Sequence, residues 1–186
     1  LPEIQPTNHT NQILLVDDSP TMLTIIENYI TELGYQCYAT TSARDALDKI
    51  ISGSFDILLT DYHMDEMNGI ELIQQSREIY SDIKSILITG FGNKSVVVDA
   101  IENQVDAFLE NPVDINLLQA ALNRLENIIN MRKENSRLLV ELTESNKHLK
   151  EGRDILSATL ESLNEAVLTL DNNFEIISAN NAIQTL

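Results

Sequence analysis

The sequence predicts an α/β domain: a five-stranded parallel, doubly wound sheet, continued by an extended C-terminal α-helix. Two observations carry this. Apolar runs of strand length alternate with segments of helical spacing between residues 13 and 109, the pattern of a parallel sheet with crossover helices. From Asp114 onward no strand signal returns for some fifty residues, which is the extended helix.

The elements follow in order. Residues 1–11 (LPEIQPTNHTN) are polar, contain proline and read as a tail. ILLV (13–16) is a short apolar strand ending in Asp17-Asp18. A helix is expected from Pro20 to Leu33, with proline in its first turn and Gly34 as its stop. YQCYAT (35–40) is extended in character, and SARDALDKII (42–51) is a helix with Ser42 as N-cap and Ala46, Leu47 and Ile50 on one face. FDILLT (55–60) and SILIT (85–89) read as strands, GIELIQQSREIY (69–80) and SVVVDAIEN (95–103) as helices, and AFL (107–109) as the last strand.

Composition limits the function. The chain has 186 residues, 43% of them hydrophobic, which suits a folded core. A formal net charge of −17 repels phosphate backbones, so no nucleic-acid binding by this portion is expected. There is no apolar run long enough for a bilayer and no signal-peptide pattern, so a cytoplasmic protein without membrane contact is expected. The single cysteine, Cys37, reads as an unreactive core residue.

In doubly wound sheets the C-terminal strand ends gather in one crevice. Read in order, those ends carry Asp17 and Asp18, Asp61, Thr89 and Asn111. Three carboxylates in one crevice repel one another unless a cation lies between them, and oxygen ligands suit Mg²⁺. A hard cation screens an incoming phosphoryl group, so a carboxylate can act as nucleophile. A threonine hydroxyl can donate to a phosphoryl oxygen. Singly each residue has a plainer reading: Asp-Asp before proline as a helix start, Thr89 as a cap. Together they favour the chemistry.

Residues 12–127 resemble the receiver domain of two-component response regulators, a flavodoxin-like fold. LLVDDSPTM is similar to that family's first strand and acidic pair, and LLTDYHMDEMNGIEL to the segment around its phosphorylated aspartate. ILITGFGN resembles its Ser/Thr switch, and AFLENPVD its last strand and proline. The resemblance implies that Asp61 is the phospho-acceptor, that Asp18 binds Mg²⁺ directly and Asp17 mainly through water, and that the backbone carbonyl of His63 is a further ligand. It implies that Thr89 follows the phosphoryl group and that Phe108 is the aromatic reporting the switch, although by residue type alone Phe108 reads as core. A histidine kinase or phosphotransfer protein is the implied phosphodonor, and the domain itself is not an enzyme.

Two positions depart from the family. Asp65 stands where proline is usual, and Asn111 replaces the family lysine, so one positive charge at the site is missing. Lys94, five residues past Thr89, is a candidate substitute for it; a solvated loop lysine is the plainer reading.

Beyond the receiver-like region a heptad threads through Ile128, Asn135, Leu142, Leu149, Leu156 and Leu163, offset by Met131, Leu138, Ser145, Gly152 and Thr159. A continuous helix over 128–163 would span roughly 54 Å. It predicts a coiled coil and a parallel homodimer, with Asn135 fixing register and Gly152 as a weak point. His148 lies in KHLKEG, which lacks the surroundings of a kinase phospho-histidine, and reads as a surface residue. LESLNEAVLTLDNNFEIISANNAIQTL (160–186) resembles the start of a PAS sensory domain. AVLTLD and FEIISAN are its first two strands, DNN the turn, and Asn180 and Ala182 sit in the usual Asn-x-Ala pattern; the truncated PAS portion is placed at 164–186. A longer parent protein is expected, with an output domain such as a histidine kinase or diguanylate cyclase. Two functions result: a phosphorylation-dependent signalling input, or a degenerate receiver serving as a constitutive dimerisation and docking module.

Overall fold

The computed structural model describes residues 11–53, 55–90, 94–162 and 167–180, with the side chains of 94 and 95 outside that set. The chain divides into two compact units, one up to Met131 and one from Arg132 onward. In the first, β1 (Gln12–Val16), β2 (Gln36–Thr40), β3 (Ile57–Asp61), β4 (Lys84–Gly90) and β5 (Ala107–Asn111) form one parallel sheet in the order β2-β1-β3-β4-β5. Between them run α1 (Pro20–Glu32), α2 (Ala43–Ser52), α3 (Gly69–Ile79) and α4 (Lys94–Glu102). A long helix, α5 (Ile115–Glu161), follows β5. The expected fold class is the observed one.

The two-residue period of a strand explains the layering. Ile13 and Leu15 of β1, with Ile57 and Leu59 of β3, face a core layer shared with Ile26 and Ile30 of α1 and Leu118, Leu122 and Leu125 of α5. Leu14 and Val16, with Leu58, face the opposite layer of Ala46 and Ile50 from α2 and Leu72 and Ile73 from α3. Continuous apolar runs are therefore required, because both sheet faces are covered.

Caps set the helix limits. Ser19 and Ser42 accept from Met22 N and Asp45 N at the starts of α1 and α2. Gly34, at φ 87°, takes the left-handed turn after α1 that a Cβ disfavours. A capping box between Asn68 and Glu71 starts α3, a signal present in the sequence as Asn-x-x-Glu. One expectation needs correction at its edge. The sequence places Asn11 in a polar tail, yet it is fully buried beside β1; residues 1–10 lie outside the described residues.

On α5, Leu118, Leu122, Leu125 and Ile129 face the core at spacings of three and four. From residue 130 to 159 every side chain is exposed, so the heptad positions Met131, Leu138, Leu142, Leu149 and Leu156 are uncovered within the single chain. The helix continues through Gly152 without a break, so the expected weak point does not end it. Leu163 lies outside the described residues.

Within the second unit, β6 (Leu168–Leu170) and β7 (Ile176–Ala179) form an antiparallel hairpin. Asp171 organises its turn: Oδ1 accepts from Asn173 N at 2.8 Å and Glu175 N at 2.9 Å. Buried Asn180 accepts from Val167 N at 2.9 Å and donates to Leu160 O at 3.0 Å, which ties the hairpin to the end of α5. Ala182 lies outside the described residues.

Candidate functional site

Sheet order, not sequence proximity, assembles the site. The order β1-β3-β4-β5 brings the ends of four strands side by side, and with them Asp17-Asp18, Asp61, Thr89 and Asn111. Asp61 pairs in register with Ile88, and Gly90 with Asn111, so Thr89 lies between the acceptor candidate and the asparagine along that edge.

Asp17 follows β1 and is only 4% exposed. Its Oδ1 accepts from Ser19 N at 2.9 Å, while its own N–H donates to Thr40 O at 3.3 Å. Burial pushes its carboxyl up to about 6, helped by the charges of Asp61 and Asp18 and opposed by the Ser19 hydrogen bond. Asp18 is exposed. Asp61 is half-buried, and burial likewise raises its pKa, with Asp18 adding to the rise. The N–H of His63, donating to Asp61 Oδ2 at 2.7 Å, and the His63 side chain oppose it. These carboxylates sense one another's charge, which is the electrostatic setting a cation relieves.

The other expected residues are placed as follows. Thr89 is 2% exposed, and among the described residues its Oγ1 has no hydrogen-bond partner. A buried hydroxyl without a partner is costly and uncommon. Asn111 ends β5 and is partly buried. The imidazole of His63 is exposed and packs edge-on against Tyr62, with ring centroids 4.7 Å apart. Lys94 begins α4, and its side chain lies outside the described residues. Phe108 is a correction. Its type suggests core, but it is 47% exposed on the rim of a groove of about 380 Å³ that Ile101, Val105, Ala121 and Arg124 also line. Cys37 is partly buried, and burial pushes its thiol up to about 12, so it is protonated and unreactive at neutral pH.

Does this donor set suit Mg²⁺? Among the described residues no group of three or more His, Cys, Asp or Glu side chains is arranged to hold a metal ion. The donors are nonetheless hard oxygens, and an Mg²⁺ site commonly uses one or two carboxylates and completes its shell with water. An open cleft of about 550 Å³, lined by Asp18, Tyr62, His63, Met64, Asp65 and Asn68, leaves space for that shell. The residues fit the ion.

Two further residues join the acceptor strand and the loop after it to neighbouring elements. Gly69, at the start of α3, lies so close to the acceptor strand that a Cβ would sit 2.3 Å from Asp61 O and 2.7 Å from Leu87 Cδ1. Its N–H donates to Tyr62 O at 3.0 Å. Glu66 reaches from the β3–α3 loop to the start of α2, where Ser42 Oγ and Arg44 N donate to it. A periodicity argument finds neither, because both contacts join different elements.

This fold is that of a signalling receiver domain. The response regulator receiver domain matches residues 13–123, well over half of the chain, and the chain belongs to that family. It is 34% identical over 117 residues to the chemotaxis protein CheY homolog of Campylobacter jejuni, covering 60% of this chain and 88% of that protein. It is 29% identical over 118 residues to the transcriptional regulatory protein ZraR of Escherichia coli, covering 63% of this chain and 27% of that longer protein. Among solved structures, a response regulator receiver domain protein from Clostridium thermocellum superposes with a TM-score of 0.62 at 24% identity, covering 65% of this chain and 98% of that one. That last likeness concerns the fold alone. Domains of this family are generally non-enzymatic, Mg²⁺-dependent phospho-acceptors supplied by histidine kinases or phosphotransfer proteins. No helix among the described residues is long and apolar enough to cross a membrane.

Proposed function

We propose that the chain is a phosphorylation-dependent signalling input in which Asp61 accepts a phosphoryl group from a histidine kinase or phosphotransfer protein. The observation that carries this reading is the grouping of charge-coupled Asp17, Asp18 and Asp61 beside a buried, unpartnered Thr89 hydroxyl at the C-terminal strand ends. Asp61 attacks phosphorus; the new O–P bond replaces the donor's N–P bond, and the imidazole leaves with that electron pair. His63 N–H holds Oδ2 of Asp61 in place. Asp18, Asp61 and the backbone carbonyl of His63 would hold Mg²⁺, with Asp17 acting mainly through water, and the bound ion would supply charge neutralisation. Thr89 Oγ1 moves to donate to a phosphoryl oxygen, and Phe108 reads out that movement at the groove rim.

Asn111 supplies a neutral hydrogen bond where a lysine would supply a charged one. Such bonds contribute about 0.5–1.5 and 1.5–3 kcal/mol respectively, so the phosphorylated state loses about 1–2 kcal/mol of support. Asn111→Lys should lengthen its lifetime or strengthen its effect at Phe108. The uncovered apolar seam of α5 supports a coiled-coil relay in a parallel homodimer. The hairpin with its Asn180 tie supports a PAS beginning at 164–186, and an output domain would lie in a longer parent chain. A cytoplasmic location without nucleic-acid or membrane contact fits the acidic charge. The domain limits proposed are a tail at 1–11, apart from Asn11, which the fold buries, the receiver at 12–127 and the coil at 128–163.

Asn111 and Asp65 favour a second reading, a degenerate receiver used as a constitutive dimerisation and docking module. Intact mass after incubation with Mg²⁺ and a small phosphodonor separates the two, with Asp61→Asn as control. A phosphoryl adduct absent from the control supports the input; no adduct with any donor supports the docking module. Sedimentation tests the coil: a monomer at high concentration before and after phosphorylation refutes the dimer.

A further inference from the structure

The β3–α3 loop, residues 62–68, carries the residues that flank Asp61 on the cleft side, and it has no regular secondary structure. Its ends are fixed. At the first, Tyr62 N donates to Ile88 O at 2.8 Å and His63 N to Asp61 Oδ2 at 2.7 Å. At the second, the Asn68–Glu71 capping box and the Gly69-to-Tyr62 hydrogen bond close the loop onto α3. The middle has weaker polar ties. Met64 and Met67 are partly buried and pack against the core layer under α2 and α3, while their sulfurs, weak acceptors, take hydrogen bonds from Thr60 Oγ1 at 3.7 Å and Gln75 Nε2 at 3.8 Å.

Glu66 is the exception. One of its carboxylate oxygens accepts from Arg44 N at 3.1 Å, and both lie within 3.3 Å of Ser42 Oγ. Ser42 is itself the N-cap of α2, accepting from Asp45 N at 3.2 Å, so its hydroxyl proton is available to Glu66. A carboxylate on the first turn of a helix is also favoured by the helix dipole. The tie therefore runs from the loop's midpoint to a ten-residue helix anchored in the core by Ala46 and Ile50. It sits one residue from Asp65, which lacks the fixed φ a proline would impose and lets the loop sample more conformations.

We infer that Glu66 is a positioning residue for the acceptor site. By clamping the β3–α3 loop to the N-terminus of α2, it holds the His63 segment in the arrangement that receives Mg²⁺ beside Asp61. This rests on the reading of Asp61 as an Mg²⁺-dependent acceptor. Pre-organisation of this kind acts on apparent affinity: if the competent loop is populated only part of the time, the metal concentration needed rises by that factor.

The test uses the whole chain with Glu66→Ala, Glu66→Gln and Ser42→Ala. In chelator, Glu66→Ala should speed amide hydrogen exchange across residues 63–67, with the unfolding midpoint little changed because Glu66 is exposed. Mg²⁺ titrated by calorimetry should show half-saturation shifted upward about three- to tenfold. Glu66→Gln keeps one amide oxygen as acceptor and should recover part of the shift. Removing Glu66 in the Ser42→Ala background should shift half-saturation by less than in the wild type, because only the Arg44 N contact then remains to be lost. Faster exchange confined to α2, with loop exchange and Mg²⁺ half-saturation unchanged, would make Glu66 a helix cap and overturn the inference. A wild-type chain that binds no Mg²⁺ would instead remove the acceptor reading beneath it.

Discussion

Replacing Asp17 by asparagine in metal-free buffer isolates the electrostatic cost of the acidic crevice from the stability of the sheet below it. The Asp17 carboxyl is buried and rises from its ordinary 3.8 to about 6. A carboxyl raised in the folded state holds its proton there more tightly than in the unfolded chain. Wild-type stability therefore falls as pH rises between about 4 and 6, then levels off once Asp17 is ionised in both states. At about 1.4 kcal/mol per pH unit, the rise corresponds to about 3 kcal/mol of destabilisation above pH 6. The substituted amide would carry no charge and keep its oxygen for Ser19 N, whose stronger bond to the carboxylate is already contained in the net rise. The expected gain at pH 8 is therefore about 3 kcal/mol, which moves the thermal midpoint up by about 6–12 °C. Denaturant titrations by circular dichroism in chelator, from pH 4 to pH 8, measure it directly. The two proteins should converge near pH 4 and separate by pH 7, and added Mg²⁺ should stabilise the wild type more than the variant. An Asp17→Asn protein no more stable than wild type at pH 8, with the same pH slope, would refute the reasoning.

Three further outcomes are expected. Thr89→Val removes a buried hydroxyl without a partner, so the metal-free fold should gain about 1 kcal/mol while the phosphorylated state decays faster, read by thermal denaturation and adduct lifetime. Gly69→Ala places a methyl group 2.3 Å from Asp61 O; the required backbone shift should cost about 1–3 kcal/mol or more in a denaturant titration. Asp106 accepts from Ser85 N, Ser85 Oγ, Arg77 and Lys84. Burial raises its pKa, but these partners outweigh it and hold the carboxyl below its usual range. Its contribution is present above the ordinary carboxylate value and is lost as pH falls through the lowered one. Asp106→Asn leaves Arg77 and Lys84 without their shared anion and should cost about 2–3 kcal/mol at pH 7, with a shallower acid limb than wild type.

Much of the fold was legible because its signals are short-range. A strand's apolar run, a Ser at an N-cap, a glycine after a helix and Pro20 in a first turn all act within a few residues, so Ser42 and Gly34 could be assigned from their neighbours alone. The order of the strand ends was legible too, since in a doubly wound sheet it converts a linear series into one crevice. That is why Asp17, Asp18, Asp61, Thr89 and Asn111 form one group on the sequence alone. Phe108 was less tractable: an aromatic in an apolar strand reads as core, yet β5 is an edge strand and its outer face meets a groove. Asn11 failed the opposite way, a polar residue in a polar stretch that the adjacent strand buries.

What the sequence determined by itself, then, was the set of chemical groups: which carboxylates, which hydroxyl, and that an amide stands where a lysine is usual. Only the tertiary structure decided how those groups are held. Asp17 acquires its raised pKa from burial against neighbouring strands. Thr89 is buried only by packing, and finds no hydrogen-bond partner among the described residues. Gly69 is required by the proximity of Asp61, and Glu66 finds Ser42 and Arg44 across 22 to 24 residues of chain. Local periodicity reports the faces of single elements. Desolvation, close approach and cross-element hydrogen bonds depend on distances that exist only once the layers have packed.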